Sequence, residues 1–247
     1  MVKFSILVII FLFCFTSAKH LPSYLENFGK CHRNSTQFDP CVLETLQLAL
    51  PFILKGDPKY NIPNMLPLEI PEIIISGGKN LVLKLVNISI IGLDDMKLAH
   101  VDVDSTNMKV KIKGEASKVM IIGNYDVKGQ ILVLPIIGKG TANFTFDDVT
   151  FIYSYSYGNI VRHNDQYFTI IGNHFTFDSQ KAYLHLDRIF QDDERLNKET
   201  NLVINENWRE IIDDMRPDIG ETIGSIVTAI ISGYYAHIPA SELIGIF

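Results

Sequence analysis

Apolar residues recur along the last half of the chain with two successive periods. Ala142, Phe144 and Phe146 alternate with polar neighbours, then Val149, Phe151, Tyr153, Tyr155 and Tyr157 do so, and Phe175 and Phe177 repeat the pattern. A period of two puts such side chains on one face of a strand, which predicts antiparallel strands with one buried and one wetted face. From Trp208 to Tyr234 the period lengthens. Trp208, Ile211, Ile212, Met215, Ile219, Ile223, Ile226, Val227, Ile230, Ile231 and Tyr234 recur at three- and four-residue steps, the stripe of one long helix. Asn205 is its expected cap, and Pro217 should kink or break it. Gly220, Gly224 and Gly233 lower its intrinsic helicity, so packing against a surrounding sheet must hold it.

Upstream, Asp39 and Pro40 read as the cap and first position of a shorter helix that buries Leu43, Leu46, Leu50 and Ile53. Pro51 should kink it, and Gly56-Asp57-Pro58 should end it. Pro58, Pro63, Pro67 and Pro71 then predict an extended linker, because each ring fixes its own backbone and biases the preceding residue away from helix. Strands are expected over 80–91, 96–113, 118–134, 140–157, 166–178 and 181–186, broken at Gly92, Gly114, Gly138 and the 158–165 loop. Several exceed the usual length of about 5 to 6 residues, which favours a large, strongly coiled sheet with bulges over a compact sandwich.

The N-terminus adds a compartment. Lys3, the apolar run from Phe4 to Phe15 and the small residues Thr16-Ser17-Ala18 read as a secretory signal peptide over 1–18, followed by a single domain over 19–247. The run is shorter than the roughly 20 apolar residues a membrane span needs. Cys14 leaves with the signal, and Cys31 and Cys41 remain as an even count in an oxidising compartment, so they should form one disulfide. Closing so short a loop contributes roughly 3 kcal/mol in the chain-entropy model, too little to dominate the stability of a domain this size. Behind a signal peptide, the three sequons at Asn34, Asn87 and Asn143 become candidate glycosylation sites.

Charge and motifs narrow the function. The formal net charge is −6, and removing Lys3 makes it −7, which argues against nucleic acid or an anionic membrane surface as a partner. Lys109, Lys111 and Lys113 alternate with Met108, Val110 and Ile112 and read as the wet face of a half-buried strand. No GxSxG elbow, HExxH, P-loop or dinucleotide fingerprint occurs, and Gly138-Lys139-Gly140 reads as a hairpin turn. Asp94-Asp95 and Asp192-Asp193 read as turn and loop acids, and the histidines are scattered with no nucleophile beside them. The expectation is a protein that is not an enzyme and holds no metal or cofactor.

Several segments together resemble a known family. They are the Cys31 and Cys41 pair; Lys55-Gly56-Asp57-Pro58 with Ile62-Pro63; Pro67-Leu68-Glu69-Ile70-Pro71; Leu134-Pro135-Ile136 with Gly138-Lys139-Gly140; Leu184-His185-Leu186 and Ile189-Phe190; Asn205-Glu206-Asn207-Trp208; and Pro239 through Leu243. In order and spacing they resemble the secreted insect takeout and juvenile hormone binding proteins, nearer the takeout branch because there is a single early cysteine pair. The resemblance implies an α+β fold of the tubular lipid-binding (TULIP-like) kind, a long C-terminal helix wrapped by a strongly curved antiparallel sheet. It also implies a secreted, extracellular monomer carrying a terpenoid, juvenile-hormone-like or fatty ligand in an apolar tunnel along that helix. The wall is then expected from Phe144, Phe146, Tyr153, Tyr155, Phe175 and Phe177 of the strands and Ile219, Ile223, Ile226, Val227 and Ile230 of the helix. The alternative is an extracellular signalling protein that acts through its surface on a cell-surface receptor, in feeding, circadian or mating behaviour.

Overall fold

The structure is a computed structural model that describes residues 21–32, 35–77, 81–131, 134–190 and 193–243. The expected signal peptide, Cys14 and the sequon at Asn34 lie outside these residues. After a 3-10 turn at Ser23–Lys30 come α1 (Phe38–Leu54), six strands, and three helices. The strands are β1 (Leu68–Gly77), β2 (Leu81–Ile91), β3 (Lys97–Asp104), β4 (Lys109–Ile131), β5 (Leu134–Arg162) and β6 (Asp165–Leu186). The helices are α2 (Glu194–Glu206), α3 (Trp208–Tyr235) and the short α4 (Ala240–Leu243).

All six strands form one antiparallel sheet in the order β1-β2-β4-β5-β6, with β3 pairing the first half of β4 beside β2. The sheet curls so far that α3 packs against both of its outer strands, β6 and β1. A curled sheet with a helix across its opening is the architecture that the resemblance implied. Cys31 and Cys41 are bonded, with their Cα atoms 5.6 Å apart, and so tie the preceding segment to the first turn of α1.

Gly114, Gly138 and Gly158, where strand breaks are expected, lie inside strands: β4, β5 and β6 run for 23, 29 and 22 residues, and β6 joins the expected strands 166–178 and 181–186 into one. The first two glycines answer close approach, not turning. A Cβ on Gly114 would lie 2.4 Å from the Phe151 ring, and one on Gly138 would lie 2.6 Å from the carbonyl oxygen of Ile189. Gly138-Lys139-Gly140 is therefore no hairpin turn: the segment following β6 crosses over it. The actual β5–β6 turn is His163-Asn164, both with positive φ, a two-residue turn without glycine.

Two further elements differ from expectation. The proline-marked stretch runs into β1, which tolerates Pro71 because an edge strand can do without one N–H. Asn205 does not cap α3. It lies in the last turn of α2, whose own cap is the Asp193 carboxylate accepting from Leu196 N–H at 2.8 Å. Asp39 is likewise not a cap; α1 starts at Phe38, and the Asp39 carboxylate accepts from Val103 N–H in β3 at 3.4 Å. The apolar face of α1 is turned by about one position: Val42, Ala49, Leu50 and Leu54 are buried, with Leu43, Leu46 and Ile53 half-buried. Both Pro51 and Pro217 are accommodated within continuous helices.

Asparagine spacing explains α2. Asn197, Asn201 and Asn205 recur every fourth residue and so share one helix face. Asn201 accepts from Leu186 N–H at 2.9 Å and donates to Leu186 C=O at 2.9 Å; Asn205 makes the same pair of bonds to Leu184 at 2.8 and 2.8 Å, and Asn197 to Phe190 at 2.7 and 2.9 Å. Each side-chain amide reproduces what a neighbouring strand would offer, so α2 closes the free edge of β6 and the segment after it. Replacing Asn201 by Leu removes its two bonds to Leu186, and a third to the Asn197 carbonyl, at a buried position and leaves both strand groups unpaired. The expected loss is about 2–4 kcal/mol in urea denaturation, against less than about 0.5 kcal/mol for Lys198→Ala on the exposed face.

Candidate functional site

Inward side chains of the sheet meet α3 around a cavity of about 290 Å³. The strands contribute Ile73 and Ile75, Leu83 and Leu85, Val119 and Ile121, Phe144, Phe146 and Phe151, and Phe175, Phe177, Leu184 and Leu186. Helix α3 contributes a stripe from Ile211 to Ile230. Among the lining residues Thr222 is the single one with a hydroxyl, amide or charge, and that hydroxyl donates to the Asp218 carbonyl at 2.8 Å. A wall of this composition gives water almost nothing to bond to and gives an apolar guest dispersion contact on every side.

The inward face is not a simple alternation. Along β4 it runs through Ala116 and then Val119 and Ile121; along β5 through Phe144 and Phe146, then Val149 and Phe151; along β6 through Phe175 and Phe177, then Leu184 and Leu186. Each strand changes parity on the same row, between the paired sets Ala116, Val149, Ser179 and Val119, Phe146, Ala182. Pairing of β4, β5 and β6 continues across the row without a slip, so these three strands crease there together. Asp148, in the middle strand at φ 50, takes the left-handed conformation that a short polar residue tolerates. The crease lets β5 present two sets of aromatic side chains to the same cavity.

Close approach sets the helix face. A Cβ on Gly220 would lie 2.5 Å from the Phe175 carbonyl oxygen, and one on Gly224 would lie 2.4 Å from the Asn173 side-chain oxygen. These two glycines let α3 rest directly on β6. With that face against the strand, Ile219, Ile223, Ile226, Val227 and Ile230 turn into the cavity. Arg209 donates to Ser179 C=O at 2.7 Å, and Arg216 donates to Phe177 C=O, so the same seam is also latched by charge-assisted bonds.

Nine of the eleven expected wall residues line the cavity: Phe144, Phe146, Phe175, Phe177, Ile219, Ile223, Ile226, Val227 and Ile230. Tyr153 and Tyr155 do not. They continue the inward face of Phe151 toward the C-terminal end of α3, where the Tyr153 hydroxyl meets Thr228 Oγ1 at 2.7 Å and the Tyr155 hydroxyl meets that of Tyr235 at 2.8 Å. Tyr155, Tyr157, Phe168 and Tyr235 pack in tilted and edge-to-face pairs as an aromatic plug, with ring centroids 5.1 to 6.5 Å apart. Sequence reasoning missed the β1 contribution, Ile73 and Ile75, because its prolines masked the strand. It also passed over Phe151, which shares the period of the two tyrosines chosen instead. Asn87 and Asn143 are both exposed, so a glycan at either would project into solvent. Among the described residues, no group of three or more His, Cys, Asp or Glu could hold a metal ion, and no helix is long and apolar enough to cross a membrane.

A family model described as haemolymph juvenile hormone binding protein matches residues 6–245. Relatives named circadian clock-controlled protein daywake share 23% identity over 227 residues in Drosophila yakuba and 24% over 228 residues in Drosophila melanogaster. Each match covers 85% of this chain and 85% of the relative. The fold is similar to the crystal structure of Epiphyas postvittana Takeout 1, with a TM-score of 0.74 and 21% identity over 83% of this chain and 94% of that one.

The plug makes stability sensitive to alkali. Burial pushes the Tyr155 and Tyr235 hydroxyls well above the ordinary tyrosine value near 10, because an anion there would lose its hydration. The folded-state value exceeds the unfolded one, so this contribution is complete below about pH 10 and is lost as pH rises toward the folded value. Urea denaturation across pH 7 to 11 should show wild-type stability falling above about pH 10. The Tyr155→Phe/Tyr235→Phe double variant should fall less steeply and should match wild type at neutral pH, where two partners have been removed together.

Proposed function

Because the chain belongs to the haemolymph juvenile hormone binding protein family, we propose that it is a secreted carrier that holds a long apolar molecule in the cavity along α3. The observation that carries this reading is the wall itself, apolar at every position but Thr222 and assembled from five strands and the helix. Burial of a flexible hydrocarbon against such a wall stabilises a complex by about 25 cal/mol per Å² removed from water, and no bond need be made or broken. Part of that gain is offset by the lost freedom of the guest and protein.

Methyl-branched terpenoid chains and unbranched fatty chains both suit this site, since they ask for little beyond shape. Selectivity rests on the length of the cavity and on the few polar groups at its margin, Thr222 on the helix and the tyrosine hydroxyls beyond Phe151. A surface-acting signalling protein would need no such cavity, and this observation favours the carrier. The family match begins at residue 6, within the N-terminal segment read as a secretory signal, and the family is described as a haemolymph protein, which supports transport through an extracellular fluid.

Delipidated protein should take up a fluorescent long-chain terpenoid or fatty probe with an affinity in the micromolar range or tighter, about −8 kcal/mol. Unlabelled apolar chains should displace it. Absence of displacement by any of them would sink the carrier reading. Val227→Trp places a large ring at the centre of the wall and should reduce probe affinity at least roughly tenfold while the variant stays folded by circular dichroism. Full capacity in a folded Val227→Trp protein would remove α3 from the binding surface.

A further inference from the structure

The two seams flanking α3 are built differently. Against β6 the helix is latched by Arg209 and Arg216 and by the direct seating of Gly220 on Phe175. Against β1, among the described residues, no hydrogen bond or ion pair joins the two elements. A surface groove of about 550 Å³ lies along that second seam. Its floor includes Ile73, Thr222 and Ile226, and the same three residues line the internal cavity. The wall between cavity and solvent is therefore one side chain thick here, and rotating those side chains breaks no bond between the elements.

We infer that the β1–α3 seam is the portal through which the guest reaches the cavity, and that its rim admits neutral apolar molecules in preference to ionised ones. This rests on the carrier reading above. The rim carries Glu72, Asp218 and Glu221. Lys84 pairs with Glu72 at 2.8 Å, whereas no ion pair among the described residues engages Asp218 or Glu221. An approaching carboxylate meets like charge before it reaches any apolar surface, and a hydroxyl or ester headgroup does not. Inside, no cation among the lining residues compensates a carboxylate that has lost its water. Approach and burial thus select in the same direction.

Stopped-flow fluorescence with a pyrene-labelled fatty alcohol and the matching fatty acid tests this at neutral pH. Ser225 is exposed in the groove and does not line the cavity, so Ser225→Trp obstructs the portal from outside. For the alcohol, its association and dissociation rates should fall together, by roughly tenfold, with the affinity unchanged. The Asp218→Asn/Glu221→Gln variant should speed association of the acid by roughly threefold to tenfold at low salt, with the gain fading above about 0.5 M salt and no change for the alcohol. Unaltered alcohol rates in Ser225→Trp would overturn the portal, and an equal change for both probes in the charge variant would overturn the selectivity. The charge variant removes no ion pair, so it remains informative even if the tryptophan variant fails to fold. Wild-type protein that takes up neither probe would instead overturn the carrier reading.

Discussion

An antiparallel sheet that curls without closing leaves strand edges whose N–H and C=O groups need partners, and the rest of this structure depends on how those edges are met. The edge of β3 is met by α1, where Gln47 accepts from Leu98 N–H at 2.7 Å and Asp39 from Val103 N–H. The edge of β6 is met along its length by Arg216, Arg209, Asn205 and Asn201. The edge of β1 faces α3 across a groove. Side chains drawn from helices thus do for β3 and β6 what another strand would do, and because they do, the barrel can stay open enough for α3 to lie in the gap.

Open closure has a packing consequence. A barrel sealed by strands alone would draw its inward side chains together, whereas a helix laid across the gap holds the far wall at a distance. The crease across β4, β5 and β6 reinforces this by turning two aromatic sets of β5 toward the same space. Glycine in α3 works in the same direction: Gly220 and Gly224 weaken the helix as a helix but let it sit on the backbone of β6, which fixes which residues face inward. Stability at the far end comes from the aromatic plug, in which the Tyr155 and Tyr235 hydroxyls pair with each other, and from Tyr153 beside it, whose hydroxyl pairs with Thr228.

Much of this was legible in the residues. Period-two aromatics point to Phe144, Phe146, Phe175 and Phe177, and the helical stripe takes in every α3 residue that lines the cavity except Thr222, because both patterns arise from local geometry. The failures have one cause, a tertiary partner invisible in local sequence. Gly138 looks like a turn until the segment after β6 is seen crossing it. Helix α2 is rich in asparagine, a poor helix former, and its spacing makes sense only beside the edge of β6. Pro71 reads as linker unless the strand is known to be an edge. Tyr153 and Tyr155 were placed on the correct face but lie beyond the end of the cavity, since period fixes face and says nothing of position along the helix.

The proposed role of the space between α3 and the curled sheet, to hold an apolar guest, is open to native mass spectrometry of protein purified from its own source, followed by organic extraction and identification of the released molecule. A carrier should release a single class of neutral, long-chain apolar compound near one molecule per chain, absent from an unrelated protein purified alongside. Protein of unliganded mass, with only traces of the lipids found on that control, would contradict it.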